Sequence, residues 1–144
     1  MFSFLKKKDK DPLDCSWLGA DMHSHLVPNI DDGAPDLETS LQLVRGLAAL
    51  GYKKIITTPH VLWEMYPNTR ATIMDGLEVV REAVKEELPG IELHAAAEYF
   101  IDEHFVQELK GKTPLLTLKD NLVLVEISMV TAPFDLSEVL FEMQ

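Results

Sequence analysis

Asp21-Met22-His23-Ser24-His25 places two histidines at i and i+2. On an extended segment such side chains point to the same side of the backbone. Their imidazoles can therefore share one metal ion, for which histidine is the commonest protein ligand. Asp31-Asp32-Gly33, Thr58-Pro59-His60, Glu98 and Glu126 follow. Each has a plain reading by itself. Two surface histidines can adopt the spacing by chance, Asp-Gly favours a turn, and a lone histidine at a strand end is often structural. Glu98 and Glu126 each close a run that reads as buried, where a carboxylate needs a partner such as a metal. Taken together at equivalent strand ends, these residues predict a metal-dependent enzyme site.

The elements that carry them alternate between apolar runs and helical periodicity. A first strand is expected over Trp17 to Met22. Asp36 caps a helix to Leu50 that buries Leu37, Leu41, Val44, Leu47 and Ala48, with Gly51 at its C-cap. A β-branched strand covers Lys53 to Thr57. Asn68 or Thr69 caps a long helix to Leu88, stopped by Pro89-Gly90. A third strand runs from Ile91 to Ala97 into Glu98-Tyr99-Phe100, and a short helix spans Glu103 to Leu109. The fourth strand is Asn121 to Ile127, and a last helix, capped by Asp135 with Glu138 at the capping-box position, reaches Gln144. Four strand–helix units predict a parallel sheet. Candidate ligands at the carboxyl ends of its strands are the mark of a β/α-barrel active face, of which four units make about half. Strand parity groups Glu92, His94, Ala96 and Glu98 on one face, so His94 is expected in the interior, about 13 Å below Glu98. His104 is expected at the surface.

Composition narrows the class. The 144 residues are 47% hydrophobic, which suits one globular domain. No apolar run is long enough to span a bilayer, and Met1 to Lys8 does not read as a signal peptide. Residues 1–15 are expected to form a solvated basic leader, and 16–144 the folded domain. The net charge of −11 argues against a nucleic-acid partner. Cys15 is the sole cysteine, which makes the cytoplasm the expected compartment. It is also not followed by the arginine-ended phosphate loop of cysteine phosphatases: six residues on stands Asp21.

Asp21-Met22-His23-Ser24-His25-Leu26-Val27-Pro28, Ile30-Asp31-Asp32-Gly33-Ala34, Thr57-Thr58-Pro59-His60, Ala97-Glu98-Tyr99 and Leu124-Val125-Glu126-Ile127 together resemble the polymerase and histidinol phosphatase (PHP) superfamily. Within it they resemble the bacterial protein-tyrosine phosphatases of the CpsB/CapC type. The resemblance implies an α/β fold, a distorted TIM-like β/α barrel represented here by about four units. It implies up to three divalent metals, often manganese, with iron, cobalt or zinc as alternatives. His23 and His25 would bind the first metal, Asp32 and His60 another, Glu98 would bridge, and Glu126 matches a further ligand. Asp31 is the less expected member of its pair, because the family's ligand directly precedes the glycine. No side chain is assigned as a catalytic group or a binder of an organic cofactor.

The implied activity is hydrolysis of phosphotyrosine in capsule or exopolysaccharide regulation, with a bacterial tyrosine kinase as the expected partner. Adjacent metals suit it, since they acidify a bound water to hydroxide and clamp the phosphate oxygens for in-line attack. Trp63 and Tyr66 offer either an aromatic wall for the substrate or ordinary loop packing. The family pattern continues with a His-Pro-Glu-Arg segment and a late Asp-x-His pair, neither of which has a counterpart before Gln144. The domain is therefore expected to be incomplete at its C-terminus, with the third metal unheld. Open sheet edges predict a homo-oligomer. Two alternatives stay open: a catalytically silent metal-binding fragment, or another phosphoesterase of the same superfamily.

Overall fold

The structure, a computed structural model, describes residues 13–130 and 136–144. The expected cap at Asp135 and most of the expected leader lie outside these residues. Ten elements follow in the order β1 (Ala20–Asp21), α1 (Leu37–Ala49), β2 (Lys54–Thr57), β3 (His60–Val61), α2 (Arg70–Glu87), β4 (Glu92–Ala95), β5 (Glu98–Phe100), α3 (Glu103–Lys110), β6 (Leu124–Glu126) and α4 (Leu136–Glu142). The strands form two three-stranded parallel sheets, ordered β1-β2-β4 and β3-β5-β6. The expected parallel α/β architecture is present, and no closed barrel forms among the described residues.

The helices start where their capping chemistry lies. Asp36 accepts the Thr39 N–H at 2.8 Å and opens α1. Gly51 follows its end with φ +100°, a left-handed conformation suited to glycine. Thr69 and Thr72 form a reciprocal capping box that opens α2. Asn68, the other candidate, is buried instead and donates from Nδ2 to the carbonyls of Ile30 and His60, at 2.8 and 2.9 Å. Asp102 caps α3 through the Phe105 N–H.

The strands are shorter than expected, for local reasons. Ser16–Leu18 is a 3-10 turn and Gly19 has φ +81°, which leaves only Ala20–Asp21 of the first strand. The second and third runs each divide in two. Pro59 has no N–H to give the ladder, so pairing stops after Thr57↔Ala95 and resumes in the same register at His60↔Glu98. Thr58 N–H turns to the Ser24 carbonyl at 2.6 Å, drawing the His23–His25 segment alongside. His60 and Glu98 therefore lie just past the ends of β2 and β4, as expected, and also begin the continuation strands β3 and β5. Alternation along the third run ends at the same break, because Ala96, Ala97, Glu98 and Tyr99 are all buried. His94 is half exposed beside Glu92, at 3.7 Å, so the interior placement expected for it is wrong.

The core has two parts. Leu41 and Val44 of α1 and Leu77, Val80 and Val84 of α2 pack on Ile55 and Leu93. Val61, Ile73, Tyr99, Phe105, Leu116 and Val139 form the second cluster under β3 and β5, and Met74 and Ala95 touch both. The site lies along the seam where one sheet gives way to the other.

Candidate metal centre

Glu98 is the hub. It is 9% exposed, and its β5 position pairs with His60 on β3. Its Oε1 lies 3.9 Å from His23 Nε2, and its Oε2 lies 3.3 Å from both His25 Nε2 and His60 Nδ1. Asp32 Oδ1 stands 3.5 Å from His60 Nε2, and Glu126 Oε2 stands 3.7 Å from His60 Nδ1. All six sequence-predicted residues thus converge. They form three overlapping groups able to hold a cation, namely His23-His25-Glu98, His25-Asp32-His60 and His60-Glu98-Glu126, with ligand atoms of each group within 4.8 Å of one another. His25, His60 and Glu98 are the sheltered members, while His23, Asp32 and Glu126 face outward.

The remaining ring atoms are largely spoken for. His23 Nδ1 meets the Thr58 hydroxyl at 2.8 Å, and His25 Nδ1 meets Asp31 Oδ2 at 2.8 Å. Each pairing leaves an Nε2 turned toward Glu98. The Asp31 hydrogen bond, opposed by burial, raises the His25 pKa above its ordinary value, with help from the charges of Asp31, Glu98 and Asp32. Burial by itself would raise the Asp31 carboxyl, yet hydrogen bonds from His25, Gly33 and His60 outweigh it and hold it below the usual range. Burial raises the Asp21 carboxyl, against the opposing pull of Ser24 and His23.

The donor set fits a divalent metal. His60 Nδ1 is buried and makes no hydrogen bond, although two carboxylates lie within 3.7 Å. Buried polar atoms are ordinarily satisfied, and a cation between these groups would satisfy it while offsetting the crowded carboxylates. A neutral imidazole has a single lone pair, so His60 can serve Asp32 through Nε2 or Glu98 and Glu126 through Nδ1, but not both at once. With His25 Nδ1 held by Asp31, the described residues supply one complete group around His23, His25 and Glu98 and a second built on His60. A cavity of about 830 Å3 opens onto these side chains and continues along α1 past Leu43 and Gly46, a size ordinary for small-molecule sites.

Both loop aromatics stack on histidines. Tyr66 stacks on His60, with centroids 5.6 Å apart and planes 11° apart. Trp63 stacks on His104 at 3.9 Å. His104 is thus covered by an indole and is not a plain surface residue. Sequence reasoning quoted Thr58 only as part of its motif, gave Asn68 only a candidate capping role, and gave Asp31 no role. The Asp-Asp doublet was the available signal, and only the turn could show which carboxylate points inward.

Residues 19–143 match the family described as Capsular polysaccharide synthesis, CpsB/CapC. The chain is 29% identical to the tyrosine-protein phosphatase YwqE of Bacillus subtilis over 131 residues, covering 86% of this chain and 49% of that protein. It is 30% identical to the tyrosine-protein phosphatase CpsB of Streptococcus pneumoniae over 113 residues, covering 78% and 46%. A solved structure from the pair YwqE and CpsB, described as metal-dependent tyrosine phosphatases, superposes with a TM-score of 0.77 at 26% identity, covering 87% of this chain and 51% of that one. The chain spans about half the length of the curated relatives it matches. With the match running through nearly all of its length, the chain belongs to the CpsB/CapC family.

Proposed function

We propose that this chain carries the metal-binding part of a metal-dependent protein-tyrosine phosphatase. His23, His25, Asp32, His60, Glu98 and Glu126 are its ligands, and manganese is the first metal to test. The fold of the whole protein would then be the distorted β/α barrel of the PHP superfamily. The observation that carries the reading is Glu98, a sheltered carboxylate with the imidazoles of His23, His25 and His60 turned toward it.

Bound divalent cations supply a nucleophile at neutral pH and offset charge on a phosphoryl group. The chain's own residues prepare for them. Asp31 holds Nδ1 of His25, which leaves its Nε2 lone pair facing Glu98, and Thr58 meets Nδ1 of His23, whose Nε2 also faces Glu98. Glu98 offers one oxygen toward His23 and the other toward His25 and His60, so it would be the residue to serve more than one bound cation. Glu126 and Asp32 stand beside opposite nitrogens of His60 and are more exposed than it is. The partner is a phosphotyrosine protein, a bacterial tyrosine kinase of capsule or exopolysaccharide synthesis, and self-association is part of the same proposal. A single cysteine, Cys15, fits work in the reducing cytoplasm.

The test is hydrolysis of a phosphotyrosyl peptide by the full chain, with and without manganese, beside His23→Ala. Manganese-dependent turnover that is lost in the variant supports the reading. Turnover indifferent to metal, or undiminished in the variant, contradicts it. A second reading is metal uptake without turnover, which the three cation-holding groups by themselves would allow. Stoichiometric manganese binding with no hydrolysis would select it.

A further inference from the structure

We propose that Asp31 is a positioning residue, gripping the ring of His25 and the backbone of His60 so that both inner histidines are set before any ion arrives. The inference rests on the metal-binding reading of those two residues. The Asp31 side chain is 0% exposed. A buried carboxylate is costly unless its oxygens are engaged, and three N–H groups engage this one. Oδ1 accepts from Gly33 N–H at 2.9 Å, and Oδ2 accepts from His25 Nδ1 at 2.8 Å and from His60 N–H at 3.0 Å.

Two consequences follow from the chemistry of those atoms. An ionised carboxylate only accepts, so the proton of neutral His25 sits on Nδ1. Nε2 is left bare, 3.3 Å from Glu98 Oε2. The same oxygen ties the His60 backbone to the Asp31 turn, and Asn68 sews them again by bridging the Ile30 and His60 carbonyls. With Asp31 fixed inward, its neighbour Asp32 turns outward over the site, 62% exposed at the side chain, with Oδ1 3.5 Å from His60 Nε2. One aspartate of the doublet holds the histidines, and the next is free to meet the metal. Loss of such a supporting partner typically weakens metal binding about 10–100-fold.

Asp31→Asn tests this with little change of shape. An amide has one acceptor and one donor end, so its NH2 must face either Gly33 N–H or the donors of His25 and His60. Manganese binding to the full wild-type and variant chains is measured by calorimetric titration. The His25 tautomer is read in the metal-free chains from two-bond 1H–15N spectra, on the alkaline side of the ring's own titration as followed in the same spectra. The expected result is an Nδ1–H tautomer at His25 in the wild type. In the variant, manganese binding should be about 10–100-fold weaker and the tautomer altered. An Nε2–H tautomer in the wild type overturns the inference, as does variant binding within about twofold of wild type. If Asp31→Asn does not fold, the wild-type tautomer decides alone. A wild-type chain that takes up no manganese overturns the metal reading and this inference together. Equal binding by both chains overturns the inference only.

Discussion

Replacing Gly33 by alanine should loosen the metal centre without removing a ligand side chain. A Cβ at position 33 would stand 2.3 Å from His25 Cβ and 2.5 Å from the His25 carbonyl oxygen, with Asp31 Oδ1 at 3.0 Å. Relaxed carbon–carbon contact is about 3.5–4.0 Å, so the two segments must part by roughly 1.2 Å or more. The close atoms belong to backbone and Cβ, which cannot swing aside as a side-chain tip could. The His25 carbonyl accepts the Ala34 N–H at 3.2 Å, and Gly33 N–H reaches Asp31 at 2.9 Å, so the displacement strains the turn that holds His25. Metal–ligand distances tolerate only about 0.2 Å. Manganese affinity should fall at least 10–100-fold, or about 1.4–2.7 kcal/mol. The fold should lose about 1–3 kcal/mol through overpacking. Calorimetric titration gives the first quantity and urea unfolding of the metal-free chain the second. Affinity within about twofold of wild type, in a chain still folded by circular dichroism, would refute the close-packing argument.

Other perturbations bear on the scaffold. Tyr99→Phe removes the hydroxyl that accepts the buried Leu116 N–H at 2.9 Å, and should cost about 1–3 kcal/mol in urea unfolding. Thr69→Ala breaks the capping box of α2 and should lower stability by about 1 kcal/mol by the same measurement. Hydrogen bonds from Thr39 hold the Asp36 carboxyl below its usual range. A depressed folded pKa gives stability that is present above the unfolded value of about 3.9 and lost as pH falls through the folded one. Asp36→Ala should therefore melt earlier than wild type at neutral pH. The gap should narrow as melts are repeated toward about pH 2.

The site was more legible than the strands that hold it. His23, His25, Asp32, His60, Glu98 and Glu126 were selected by residue type and by position near strand ends, and all six converge in three overlapping groups, five of them lining one cavity. Helix α1 was equally readable, because Asp36 and Gly51 mark its ends through local chemistry. The break shared by the second and third runs was not. Pro59 signals an interruption of its own strand, but nothing in Ala96-Ala97 shows that the neighbouring strand breaks beside it. That break is a tertiary event, set when Thr58 turns to the Ser24 carbonyl. Parity reasoning consequently failed for His94, whose exposure depends on what faces its sheet. The inward turn of Asp31 was hidden for a similar reason, since two adjacent aspartates are equivalent until the His25 and His60 segments fold around one of them.

The most direct test is anomalous diffraction at the manganese edge from crystals of the full chain grown with manganese, beside Glu98→Gln crystals. The account predicts a peak among His23 Nε2, His25 Nε2 and Glu98, a second built on His60, and ligand distances of roughly 2 Å. Glu98→Gln should lose or strongly weaken both. Wild-type crystals with no peak at these atoms, or peaks that persist undiminished in the variant, would contradict the claim that Glu98 is the hub of a metal centre.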